Sequence, residues 1–220
     1  MVTIFVQVRY NSKRLRGKVL KKINDKPILQ YIVNSLKKIR NSKVIILTSK
    51  NKSDDKIVNF CRKYSFRYFR GSHLNVYKRF CDAIRHFKPN YFVRICGDSP
   101  LQSNEIINKM IKIYNKKKTG IVTNVYPRSF PIGMSVEIIN SNMFLNKEKY
   151  IKNSIHKEHI TTYFYQNDKK KITNFLCKKD YSKINLSINT LKDFKKIKKF
   201  LENNKNKIES LRNVVKHFKD

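Results

Sequence analysis

Three observations predict an α/β fold, with a mostly parallel central sheet covered by helices on both faces. Short apolar runs alternate with segments of helical periodicity over the first 125 residues. The helical segments are long enough to serve as crossover connections between parallel strands. Between 126 and 166 the alternation gives way to a Pro-containing stretch that reads as a small excursion from the sheet.

Taken in order, 2–8 is a first short apolar strand and 9–18 a polar, basic loop. Pro27 opens a helix through ILQYIVNSLKKI, where apolar residues recur at helical spacing. Val44–Leu47 is a buried strand, followed by a helix starting near Ser53 with Asp54 and Asp55 in its first turn. A strand at Phe66–Phe69, a helix at Asn75–Phe87, a strand at Tyr91–Ile95, a helix at Glu105–Tyr114 and a strand at Ile121–Val125 continue the alternation. In the excursion, a strand is expected near Ser135–Ile139 and a helix from about Ser154 to Gln166. A last strand around Leu186–Ile188 precedes Thr190 and Asp193, spaced as a helix N-cap with an acid three residues on. A Lys-rich helical stretch runs on to Asp220.

A length of 220 residues with 40% hydrophobic content suits one domain, 1–220. No apolar run approaches the roughly 20 residues that span a bilayer. Residues 1–8 are too short for a signal peptide, so a cytoplasmic protein with no membrane insertion is expected. Cys61, Cys81, Cys96 and Cys177 form no C-x-x-C pair, which argues against a zinc ribbon. The net charge of +35 invites a nucleic-acid reading. However, 38 of the 50 basic residues are Lys, and Lys, Ile and Asn together make 88 residues. All three have A/T-rich codons and the lysines form no single stripe, so no nucleic-acid partner is expected. Anionic small molecules still meet an attractive field.

In such a sheet, ligands collect at the carboxyl ends of the strands. After the first strand come Gln7, Arg9, Ser12, Arg14, Gly17 and Lys18: freed amides and cations suited to polyphosphate, although G-x-x-x-x-G-K-[ST] is absent. The other reading of this loop is a solvated basic turn. After the strand at 91–95 come Gly97, Asp98 and Pro100, where a carboxylate could hold Mg²⁺ against phosphates. Alternatively, Asp98 caps the following helix or pairs with Arg94. Arg70, Gly71 and Ser72 follow another strand and could approach a base or ribose, or form an ordinary turn. Glu137 is read as following the excursion strand, Glu158 and His159 as lying within a helix, and Asn189 as ending the last strand.

Together these segments resemble the cytidylyltransferases, including the spore-coat polysaccharide enzymes and, more distantly, the CMP-sugar-acid synthetases. The likeness runs in register from about residue 2 to 201. It is carried by Gln7, Arg9, Ser12, Arg14-Leu15, Gly17-Lys18, Lys26-Pro27, Thr48-Ser49, Asp54-Asp55, Arg70-Gly71-Ser72 and Arg79-Phe80. Further along it continues in Arg94, Gly97-Asp98, Pro100, Phe130-Pro131, Gly133, Val136-Glu137, Glu158-His159, Thr190 and Asp193-Phe194. The resemblance implies a three-layer nucleotide-diphosphosugar transferase-like fold, usually dimeric. It implies that Arg14 and Lys18 hold CTP phosphates and that Asp98 binds Mg²⁺, with Asn189 at the second metal position. It also implies a nucleotide subsite from Gln7, Arg9, Ser12, Gly17, Arg70, Gly71, Ser72, Arg94 and Gly97, and that Glu137, Glu158 and His159 lie on the acceptor side. The acceptor would be a sugar, sugar acid or polyol. Two departures stand out: Asn189 where the family usually has Asp, and Ser135 where the spore-coat group has a carboxylate. They leave a catalytically weak nucleotide-binding relative, or a glycosyltransferase of similar fold, as the alternatives.

Overall fold

The computed structural model describes residues 1–12, 14–204 and 211–218. Strand β1 (Val2–Gln7) is followed by a 3-10 turn (Lys18–Leu20), a hairpin of β2 (Lys22–Ile23) and β3 (Lys26–Pro27), and helix α1 (Ile28–Leu36). Next come β4 (Ser42–Ser49), a 3-10 turn (Lys52–Asp54), α2 (Asp55–Lys63), β5 (Tyr68–Gly71) and α3 (Val76–Phe87). They are succeeded by β6 (Tyr91–Cys96), α4 (Asn104–Lys117) and β7 (Ile121–Thr123). The remainder contains β8 (Glu137–Asn140), α5 (Ser141–Asn146), α6 (Ser154–Glu158), α7 (Thr162–Asn167), β9 (Ile172–Asn174), α8 (Leu191–Asn203) and α9 (Leu211–Phe218).

Seven strands form one sheet in the order β5-β4-β1-β6-β8-β7-β9. Every neighbouring pair is parallel except the two made by β8. The chain steps outward from β1 to β4 and β5, then crosses back to lay β6 on the other edge of β1. That reversal leaves a crevice beyond the carboxyl ends of β1 and β6, where open α/β sheets bind ligands.

The central strands are apolar on both faces because each face meets a helical layer. Ile4 and Val6 of β1 join one buried cluster with Ile32 of α1, Cys61 of α2, Ile107 of α4 and Ile197 of α8. Phe5, pointing the other way, joins Tyr77 and Phe80 of α3, Phe144 of α5 and Phe164 of α7. Each fully buried Ile, Leu or Phe contributes roughly 1.5–3 kcal/mol, so the crevice is built on the most firmly held part of the molecule. Helix starts are set locally: the side chains of Asn75, Ser103 and Asn140 accept from Lys78, Ile106 and Met143 amides.

The structure differs from the sequence reading in several places: strand β5 is shifted to Tyr68–Gly71, so Arg70 and Gly71 lie within it instead of following it. Leu186–Ile188 bends at Ser187 and forms no strand, because its amides pair with loops: Leu186 N–H with Ile132 O and Ile188 N–H with Asp98 O. The excursion strand begins at Glu137 and runs antiparallel to β6, so Glu137 opens it instead of following it. The helix expected over 154–166 is broken between α6 and α7, which lets Ile160 bury completely. The hairpin β2–β3 and edge strand β9 are additions too short to show a period. Of the expected C-terminal helical stretch, 205–210 and 219–220 lie outside the described residues.

Candidate active site

A cavity of about 340 Å³ occupies the crevice, within the range of small-ligand sites. Its floor is formed by Gln7, Val8 and Arg9 leaving β1 and by Cys96, Gly97 and Asp98 leaving β6. The two strand ends are so close here that a Cβ on Gly97 would sit 2.1 Å from Val8 Cγ1. Only glycine fits.

The loop after β1 supplies Ser12, Arg14 and Lys18. It closes on itself at Tyr10, whose carbonyl accepts from the amides of Ser12 (3.1 Å) and Gly17 (2.8 Å). Gly17 holds φ at 69°, a left-handed conformation that favours glycine, and the turn it makes starts the 3-10 segment that drives Lys18 inward.

Lys18 is the centre of the site. It is 8% exposed, and its Nζ donates to Asp98 Oδ2 (2.8 Å), Ile188 O (2.7 Å) and Asn189 Oδ1 (3.3 Å). Asn189 is oriented by a network: its Nδ2 donates to Ser187 Oγ, and its backbone N–H to Asp193 Oδ2 in the capping box of α8. The carbonyl oxygen of the amide therefore faces the ammonium. Asp98 pairs with Lys18, and Ser103 caps α4, which settles both alternatives for that carboxylate. The oxygens around Lys18 are a carboxylate, an amide and a main-chain carbonyl. Hard donors of this kind fit Mg²⁺, provided that phosphates and water complete its shell. Among the described residues, no group of three or more His, Cys, Asp or Glu could hold a metal by itself.

The outer wall of the cavity comes from α3 and α6. Arg9 reaches across to Glu158 at 2.9 Å, and Val76 and Arg79 line the cavity between them. Arg79 is 2% exposed, and its Nε donates to Ser72 O at 2.9 Å.

Other residues assigned to the site from sequence stand outside this lining. Arg70 donates to Ser49 O and Asn51 O and pairs with Asp55, so it braces β4 against α2. Gly71 packs on the Arg79 side chain, and Ser72 Oγ accepts from Asn75 N–H. Arg94 and Glu137 form a buried ion pair: Arg94 also donates to Gln7 Oε1, and Glu137 accepts from the Tyr165 hydroxyl. Burial alone would raise the Glu137 pKa, but Arg94, with hydrogen bonds from Tyr165 and Thr161, holds it below the usual carboxylate range. His159 is exposed at the end of α6. Conversely, Val8, Val19, Val76, Arg79 and Cys96 line the cavity without having been singled out as site residues. Arg79 carried a signal, being a cation on the apolar face shared by Val76, Tyr77, Phe80 and Ala83.

The fold has a close counterpart in the solved structure of a cytidylyltransferase from Leptospira borgpetersenii serovar Hardjo-bovis. The TM-score is 0.91 at 30% identity, covering 98% of this chain and 93% of that one. Fold and relatives together define a nucleotidyltransferase. The cytidylyltransferase family profile matches residues 3–217, and the chain belongs to that family. Among curated proteins it is 34% identical, over 86% of its length and 79% of the relative's, to an uncharacterized protein of Methanocaldococcus jannaschii. It is 28% identical to the spore coat polysaccharide biosynthesis protein SpsF of Bacillus subtilis, over 74% of this chain and 69% of that protein.

Proposed function

We propose that this enzyme transfers the cytidylyl group of CTP to a sugar, sugar acid or polyol destined for surface polysaccharide or glycoconjugate, releasing pyrophosphate. One observation carries the reading: a buried lysine, held by Asp98, Ile188 O and Asn189, at the floor of a cavity rimmed by Arg9, Ser12 and Arg14. Membership of the cytidylyltransferase family supports CTP as the donor. The polysaccharide role printed in the name of the Bacillus relative supports the acceptor class.

In this reading an acceptor hydroxyl attacks the α-phosphorus in line with the departing pyrophosphate. Arg14 takes the phosphates at the rim, and Lys18 neutralises charge that grows on the leaving oxygens. The protein thus positions and stabilises, with no covalent intermediate. Asp98 and the Asn189 carbonyl would hold Mg²⁺ together with phosphate oxygens, and the ion supplies further charge neutralisation there. On the acceptor side, Arg128 is half-buried and both its Nη atoms donate to the neutral hydroxyl of Ser135, 3.1 Å each. A guanidinium so placed suits an acidic acceptor. Leu74, in the turn before α3, and Ile155 of α6 are both exposed and support a homodimer.

Pyrophosphate release, followed with Mg²⁺, each nucleoside triphosphate and a panel of sugar acids and polyols, tests the proposal. Release with CTP alone, lost in Asp98→Ala, is expected. CTP binding with no turnover on any acceptor would favour the weak nucleotide-binding relative, a reading motivated by the uncharged Asn189.

A further inference from the structure

Behind the loop after β1 lies a carboxylate that the proposed reaction does not use. Asp54 is 1% exposed. Its Oδ1 accepts from Tyr10 N–H at 2.7 Å, and its Oδ2 accepts from Ser49 N–H at 2.9 Å and Ser49 Oγ–H at 2.5 Å. With its one proton given to Asp54, the Ser49 hydroxyl accepts from Asn51 N–H at 3.2 Å and from His73 Nδ1–H at 3.1 Å. Arg70 secures the same corner through Ser49 O. Among the described residues the cluster reaches the cavity by two routes. One runs through His73, whose carbonyl accepts from Arg79. The other runs through Tyr10, on which the loop closes, its carbonyl receiving Ser12 and Gly17 and its ring packing against Gly17.

We infer that Asp54 is a positioning residue: a clasp that fixes Tyr10 to the end of β4 and so holds Arg9, Ser12, Arg14 and Lys18 in their binding arrangement. The inference rests on the proposal that this loop binds the triphosphate. Its physical argument is a conflict of signs. A buried negative charge behind a polyanion site repels the ligand, so by charge alone the site would bind more tightly without it. The carboxylate is nevertheless fully engaged, accepting three hydrogen bonds that no neutral isostere could accept together: Asn would turn an N–H toward Ser49 N–H or toward Tyr10 N–H. Arg70 belongs to the same clasp through Ser49 O.

Asp54→Asn separates the two effects because they predict opposite outcomes. Two quantities are measured on the full chain: amide hydrogen exchange of the peptide spanning Tyr10 to Lys18, and the Kd for CTP. The clasp predicts that exchange in this peptide quickens on the order of tenfold while the sheet peptides hold, and that the Kd for CTP rises by about as much. Unchanged exchange, or a Kd that falls because a repelling charge has gone, overturns it. Should Asp54→Asn not fold, Ser49→Ala removes one of the three bonds and the link to His73; a smaller acceleration confined to the same peptide is then expected, and none would overturn the inference. A wild-type protein without affinity for CTP would defeat the proposed function, whereas the exchange measurement would still decide the clasp.

Discussion

The residue with most at stake is Lys18. Its Nζ lies within 3.3 Å of three oxygens contributed by two different segments, a cage shaped for a compact ammonium and not for a planar guanidinium. Lys18→Met should lower kcat by about 10²–10³, and Lys18→Arg should not restore it; steady-state kinetics with CTP check both. Glu137 is a different case. It is buried against Arg94, so Glu137→Gln leaves a guanidinium without its counter-charge and should cost about 3–5 kcal/mol, read from the urea midpoint. The pH dependence of that midpoint follows from Glu137 and Asp54. Burial opposes ionisation of Asp54, but hydrogen bonds from Ser49 and Tyr10 outweigh it, so both carboxyls ionise below their usual range. Their stabilisation is therefore complete only above the unfolded-state values, from about pH 5 upward, and is lost as pH falls through the folded-state values. A midpoint that stayed flat from neutral pH into that acid region would contradict this.

At the scale of elements, the site was legible wherever it followed a regular strand. The apolar runs of β1 and β6 are unambiguous in the sequence, which sets Gln7, Arg9, Gly97 and Asp98 at strand ends and Lys18 in the loop after the first strand. Legibility failed where loops, and not strands, supplied the pairing. Leu186–Ile188 looks like a strand because it is apolar, yet its amides bond to 132 and 98, and it delivers Ile188 O and Asn189 to Lys18 by that route. The resemblance implies that Arg94 and Glu137 belong to the site; in the sheet they form a buried ion pair outside the cavity lining, and one-dimensional spacing cannot show such pairing. The capping box of α8 was visible as Thr190 with Asp193, and it proves part of the site, since Asp193 Oδ2 also takes the Asn189 amide. Thr190→Ala should lower stability by about 1 kcal/mol, seen as a drop in Tm. Because that change also loosens the turn carrying Asn189, affinity for CTP should weaken with it.

For the whole molecule, the sheet order β5-β4-β1-β6 sets a single switch point, and the cavity occupies it. The +35 charge surrounds this cavity with an attractive field, screened over about 8–10 Å at physiological salt. The KM for CTP should therefore rise steadily with ionic strength while kcat holds; a KM indifferent to salt would mean that only local contacts count. Among the described residues, no helix is long and apolar enough to cross a membrane. The central claim, cytidylyl transfer from the α-phosphorus, is tested most directly with CTP labelled at the α- and γ-phosphates and incubated with the acceptor panel. The account predicts the α label on the acceptor and the γ label in pyrophosphate, both absent with Asp98→Ala. A γ label on the acceptor, or its release as inorganic phosphate with the α label left on CDP, would contradict it.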